Sequence, residues 1–402
     1  MKTGEHWLTA ERVKVYPRVV LLMLGILCLT WLSMSKHLVD PRGKPLGYDF
    51  IAFWAASRLA LAGHALDAYD IRLLVESAKV AVPGTSSVFA WFYPPAFYLV
   101  VLPLALMPYL VAYCVFIGTT LAAYVFVLLR VIGRNRAALW CVAAFPGLWS
   151  NLLHGQNAFL TAALAGAALL CVERRPIIAG VFVGLLAIKP HLAVLFPVAL
   201  LAARAWPAIA SAAATAIAVT AAGTVALGTG TLKAFLDSVQ QARGFVETGA
   251  LPWAKMPTVF ALARMAGMPV AGAYVVHAIV ALGATGVVWH IWRRSADPAL
   301  RGASLMTGTF LISPYVYDYD LAWLAFPIAW LAFAGLRTGW LRGERETLVA
   351  AWVLPMVMAS IANLLSIQIA PLLLIALLGF IARRAAADAP ADLQARRATR
   401  VS

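Results

Sequence analysis

Apolar runs alternate with short polar turns along almost the whole chain. They fall at about 18–36, 109–131, 137–153, 156–172, 176–188, 191–203, 206–227, 270–292, 302–313, 320–337, 347–363 and 367–383. A membrane helix needs roughly 20 apolar residues, so this pattern predicts an all-α polytopic membrane protein with about 12 transmembrane helices. The stretch 93–107 is also apolar, but it is short and bounded by Pro94–Pro95 and Pro108, and it reads as re-entrant or interfacial. Two longer segments, 37–92 and 228–267, interrupt the rhythm. In the first, Asp49 to Ala62 reads as a helix whose Phe50, Phe53, Trp54 and Leu61 suggest an element lying on the membrane surface. Gly63 is a helix stop, and a second surface helix is expected from Asp67 to Val80. No internal repeat is visible.

Composition narrows the class. Of the 402 residues, 63% are hydrophobic and 12% charged, against about 45–50% and 25% in soluble domains. That excludes a soluble enzyme, a disordered chain and a coiled coil. The net charge of +15 does not point to nucleic acid, because the basic residues sit in pairs between apolar runs: Arg134 with Arg136, Arg174 with Arg175, Arg293 with Arg294, Arg383 with Arg384. This is the positive-inside signature. With 93–107 not crossing, the pairs fall on the cytoplasmic side, both termini are cytoplasmic, and the two long segments lie outside. Lys14 and Arg18 precede the apolar run Val19–Leu32, which reads as an uncleaved signal-anchor. Cys28, Cys114, Cys141 and Cys171 all lie in apolar runs without metal-ligand spacing, so no disulfide and no metal site is expected. The chain is expected to form one membrane domain, 1–384, with a basic tail, 385–402, disordered and loosely bound to anionic lipid.

Polar chemistry gathers on the outer face. Asp49 stands in Gly47-Tyr48-Asp49-Phe50, where it could cap a helix or serve as a base. Asp67 and Asp70 flank Tyr69 and read as caps. Tyr315-Val316-Tyr317-Asp318-Tyr319-Asp320 could line a sugar site, or be an aromatic belt with a cap. Lys189-Pro190-His191 could meet an anionic head group, or be a lysine reaching to the interface beside a proline turn. His154-Gly155-Gln156-Asn157 is a fourth polar turn. Trp91-Phe92-Tyr93-Pro94-Pro95 reads as a proline-broken approach to the membrane rather than as chemistry. Lys233, Arg243, Lys255 and Arg264 could each meet a phosphate, and nothing in the sequence chooses among them. Together these clusters suggest an outer-boundary site for a lipid-borne anion. A transporter or flippase of lipid-linked sugars would instead place polar residues mid-membrane within an inverted repeat. A non-catalytic scaffold would tolerate loss of Asp49.

In order, Tyr48-Asp49-Phe50, Tyr69-Asp70, Tyr93-Pro94-Pro95 with Pro103-Leu104, His154-Gly155-Gln156-Asn157, Gly184 to Lys189-Pro190, and Ser313-Pro314 with Tyr319-Asp320 resemble glycosyltransferase family 87 over roughly residues 47–330. The resemblance implies a GT-C-like membrane enzyme of the plasma membrane that inverts configuration. It would move a hexose, mannose foremost, from a polyprenyl-phosphate donor to a cell-envelope glycolipid or glycan. It also implies Asp49 as the catalytic base. Lys189 and His191, then Arg243 and Lys255, are the expected donor-phosphate ligands. Tyr48, His154, Gln156, Asn157, Tyr317, Asp318, Tyr319 and Asp320 are the expected sugar and acceptor contacts. The lipid-linked sugar is a substrate; no cofactor is expected, and a divalent metal is left open, as is the oligomeric state. Some members carry His after the Ser-Pro motif, where this chain has Tyr317, Asp318 and Tyr319.

Overall fold

A computed structural model describes residues 6–398, and every regular element in it is helical. Seven helices among the described residues are long and apolar enough to cross a membrane: Ala10–Met34, Tyr109–Ile132, Trp206–Leu227, Val270–Arg294, Asp318–Thr338, Glu344–Leu365 and Ala370–Ala387. The expected count of about 12 is therefore not reached by long helices. The remaining apolar runs give short ones. Run 137–153 breaks at Phe145–Pro146 into Arg136–Ala143 and Pro146–His154, because proline is favoured at a helix start and cannot continue a helix before it. Ala158–Cys171, Pro176–Leu185, Leu195–Ala202 and Pro298–Ile312 are also short. At 1.5 Å per residue, helices of about 8–15 residues reach about 12–22 Å, short of the hydrocarbon thickness of about 30 Å.

Ala158–Cys171 and Pro298–Ile312 are mostly enclosed by their neighbours, whereas Arg136–Ala143 has no buried residue. Gly180 and Gly184, one turn apart, let Pro176–Leu185 lie directly on Trp206–Leu227. A Cβ on Gly180 would stand 2.3 Å from the Ala208 carbonyl oxygen, and one on Gly184 would stand 2.5 Å from Thr215 Cβ. This is the close backbone approach that small residues permit in membranes. Gly223 does the same against the Pro95 carbonyl oxygen, at 2.4 Å. The helix Ala10–Met34 is mostly exposed, packs on Arg136–Ala143, and lays Arg18 over the Trp140 ring at 5.1 Å. At the other end, buried Arg384 pairs with buried Glu344 and donates to Thr338 Oγ1 at 2.7 Å.

The first long segment departs from expectation. Phe50–Leu61 is a helix, but it does not lie on a surface: nine of its 12 residues are buried. From Phe50 to Ala56 every residue is apolar, so the first two turns have no polar face and are enclosed, while Arg58 and Leu61 mark the exposed end. The rings of Tyr109, Tyr113 and Phe116 pack on Phe50, and those of Trp91, Tyr93 and Phe97 on Phe53. Trp54 Nε1 donates to the Met107 carbonyl, and Ser57 Oγ to that of Val101. The next helix starts at Ile71, with Asp70 as the expected cap, accepting from the backbone N–H groups of Arg72 and Leu73. It is amphipathic, with Leu74 and Ala78 inside. Segment 93–107 folds as Pro95–Val101 and a tight turn, Leu102–Leu106. Segment 228–267 holds helices Gly230–Thr248 and Val259–Met265. The last helix runs Ala370–Ala398, through most of the stretch expected to be disordered; alanine, the strongest helix former, dominates there. Residues 399–402 of that expected tail lie outside the described residues.

Candidate active site

A cavity of about 920 Å³ opens where the first segment, the 154–156 and 188–191 turns, the 313–319 turn and the helix Gly230–Thr248 meet. Tyr48, Asp49, His154 and Gln156 line it. So do Lys189, His191, Arg243 and Lys255, together with Tyr317, Asp318 and Tyr319. Of the expected site residues, Asn157 and Asp320 do not reach it; they lie behind Lys189 and bond to it. Residues more than 250 positions apart thus share one chamber.

Asp49 occupies the cap position of Phe50–Leu61, yet its side chain makes no capping bond. Its backbone N–H donates to the His154 carbonyl at 3.1 Å, and its carboxylate Oδ2 accepts from Gln156 Nε2 at 3.1 Å. Gly155 makes this junction possible. It has φ +63°, and a Cβ there would stand 2.5 Å from Phe50 Cβ and 2.8 Å from the Gly47 carbonyl oxygen. Tyr48 also has positive φ, +35°, a conformation that carries strain outside glycine. It is held by its neighbours: its hydroxyl donates to Asp40 Oδ2 at 3.1 Å, and its ring stacks on Trp31 and leans on His154. Burial, and then the Asp40 carboxylate, push the Tyr48 hydroxyl up to about 12, so it stays a donor. Asp40 itself is buried, which opposes its charge. The Lys44 and Arg42 backbone N–H groups, Trp31 Nε1 and Tyr48 outweigh burial and hold its carboxyl below the usual range.

The cations differ in availability. Lys189 and Asp320, 3% and 1% exposed, form an ion pair at 2.6 Å. Lys189 also donates to Asn157 Oδ1 at 3.3 Å and stands 4.9 Å from the centre of the Tyr319 ring. Arg243 is exposed and paired with Glu247 at 2.7 Å. The buried Nε2 of His191 has no hydrogen-bond partner among the described residues, and the ring stands edge-on to Tyr315. Lys255 is one-third exposed, 2.8 Å from His154 Nε2 and 3.9 Å from Asp318 Oδ2. His154 Nδ1 is 2.8 Å from the Ser150 carbonyl oxygen. A carbonyl can only accept, so Nδ1 carries the proton and Nε2 accepts from the Lys255 ammonium.

Tyr315, part of the cluster that could line a sugar site, and Tyr93, which was not expected to, also line the chamber. Tyr93 lay in a motif that reads as a membrane approach, and only the fold reveals that its hydroxyl meets Gln156 at 3.0 Å. Among the described residues no group of three or more His, Cys, Asp or Glu side chains could hold a metal ion. A carboxylate that can take a proton and an ammonium that can face an anion, on one chamber, suit transfer from an anionic leaving group.

No curated protein and no solved structure matches the chain. Glycosyltransferase family 87 matches residues 91–314, more than half of it. The match takes in Tyr93, His154, Gln156, Lys189, His191, Arg243 and Lys255, while Asp49 precedes it and Tyr317 to Asp320 follow it. With apolar helices long enough to span a bilayer, the chain belongs to glycosyltransferase family 87 and is a membrane glycosyltransferase.

Proposed function

We propose that the protein moves a hexose, mannose foremost, from a polyprenyl-phosphate donor to an envelope glycolipid or glycan at the outer face of the plasma membrane. Asp49 is the general base. It takes the acceptor hydroxyl proton as that oxygen attacks the anomeric carbon from the face opposite the phosphate, which inverts configuration. The lipid phosphate is already a good leaving group, so no strong general acid is needed. The observation that carries this reading is the Asp49 carboxylate, which borders the chamber and caps no helix despite its cap position. Lys255 is the preferred phosphate ligand, because its carboxylate partner Asp318 stands off at 3.9 Å, whereas Asp320 and Glu247 hold Lys189 and Arg243 at 2.6 and 2.7 Å. The apolar wall suits a lipid-borne substrate: Phe235, Val239, Ala242 and Val246 recur at helical spacing along Gly230–Thr248 and face the chamber.

The test uses the full chain in lipid nanodiscs, with a panel of radiolabelled polyprenyl-phosphate sugars and an envelope lipid extract. Wild type should move label from one donor to product, and Asp49→Asn should lose about 10²–10⁴-fold in turnover. Wild-type turnover by Asp49→Asn would overturn the base. No transfer from any donor by folded wild type would overturn the lipid-phosphate donor.

A further inference from the structure

Gln156 is an amide whose two ends could be exchanged by a half-turn, so which end meets Asp49 depends on its neighbours. Its Oε1 faces the backbone N–H of Asn157 at 3.3 Å and the Tyr93 hydroxyl at 3.0 Å. A backbone N–H can only donate, which pins the oxygen on that side. The Nε2 group is left on the Asp49 side, where it donates to Oδ2 at 3.1 Å. Gln156 is 5% exposed and Asn157 fully buried, so water does not compete freely for these bonds. Tyr93 has little freedom either, its ring wedged edge-on against Phe53 and close to Phe97 and Trp91. Among the described residues, Gln156 is the side chain that hydrogen-bonds the Asp49 carboxylate, and Oδ1 accepts from none.

We infer that Gln156 is a positioning residue for Asp49, and that Tyr93 acts through Gln156 rather than on substrate. The Tyr93–Gln156 bond holds the amide in the orientation that engages Oδ2 and leaves Oδ1 to receive the proton. This rests on Asp49 being the base. It assigns Gln156 a task other than the sugar contact expected from its motif.

The experiment measures kcat and donor KM in the same nanodisc assay for Tyr93→Phe, Gln156→Ala, the double variant, Gln156→Glu and Asp49→Asn, with folding of each checked by thermal melting. Each single change at 93 or 156 should lower kcat, Gln156→Ala by about tenfold or more, with donor KM within about twofold. Gln156→Glu has the same shape and retains an acceptor for Tyr93 and Asn157, but it replaces the amide donor with a second carboxyl that repels the Asp49 carboxylate or shares its proton, and either spoils Asp49 as a base. It should be at least as slow as Gln156→Ala. The double variant should be no slower than Gln156→Ala alone, since Tyr93 then has nothing to act through. Losses that multiply, or that fall on KM alone, would place Tyr93 on substrate and overturn the inference. Full kcat in Gln156→Glu, with Asp49→Asn inactive, would overturn it while leaving the base intact. An active Asp49→Asn would remove both.

Discussion

Replacing Asp320 with asparagine keeps the shape of the side chain and an oxygen for the Tyr317 backbone N–H, which Asp320 accepts at 3.2 Å. It removes the charge facing Lys189. At the observed 2.6 Å, the Coulomb attraction between the two is about 6 kcal/mol for an effective dielectric near 20. Water cannot replace it, because both partners are at least 97% buried. The Asn157 oxygen at 3.3 Å and the Tyr319 ring offset only part of the loss. Breaking a buried pair from one side costs about 3–5 kcal/mol, while replacing both partners with apolar groups is often neutral. Asp320→Asn and Lys189→Met should therefore each unfold at a clearly lower SDS fraction, followed by far-UV circular dichroism in mixed micelles. The double variant Lys189→Met/Asp320→Leu should recover most of the loss. Wild-type resistance in both single variants would show that the pair contributes nothing to the fold, and would return Lys189 to the phosphate.

Lys255→Ala should raise donor KM by about tenfold, the worth of one partly desolvated charge contact, while Arg243→Ala changes it less than about twofold because an exposed, paired charge contributes little; steady-state kinetics over donor concentration checks both. Gly155→Ala must place a Cβ within 2.8 Å of the Gly47 carbonyl oxygen at positive φ, so it should cost about 2–5 kcal/mol and reduce transfer through displacement of Asp49, read from melting and turnover together. Asp40 is held below its ordinary pKa, so its contribution is complete above about pH 4 and is lost as pH falls through the lower folded value. Asp40→Asn should flatten the acid limb of SDS resistance below that pH, which a titration of both proteins would show.

Long spans were legible from sequence because length and lack of charge are sufficient signals: Tyr109–Ile132 and Val270–Arg294 fall where the apolar runs place them. Short runs were not, since an enclosed helix and a spanning one have the same hydropathy. Ala158–Cys171 has the hydropathy of a crossing, and only packing shows that most of its residues are enclosed by neighbours. The Phe50–Leu61 helix was legible as a helix, while its enclosure depends on rings contributed by Tyr109–Ile132. For the site, the polar turns announced themselves, and the cap reading of Asp70 agrees with its two N–H bonds. That the Asp49 side chain caps no helix was not legible, because it depends on where one carboxylate turns. Pairings were invisible for the same reason: Lys189 meets Asp320 across 131 positions, and Tyr93 meets Gln156 across 63. Sequence offers the residue types, and only packing shows which charges are already matched.

The enclosed Phe50–Leu61 helix also sets an order of assembly. Asp49 leaves the ribosome 107 positions before Gln156, which at about 5–20 residues per second is a delay of about 5–20 s. During that time its Phe and Trp side chains have no ring from Tyr109–Ile132 to meet, and the nearest apolar medium is the bilayer surface. The helix Ala10–Met34, made first, tethers the chain there. Burial of Phe50 and Phe53 waits for the segments that follow, and the contact of Asp49 with the 154–156 turn comes later still. A chain arrested before Gln156 is therefore anchored in the membrane but has not joined Asp49 to the 154–156 turn, so synthesis delivers the protein to its membrane before the chamber is assembled.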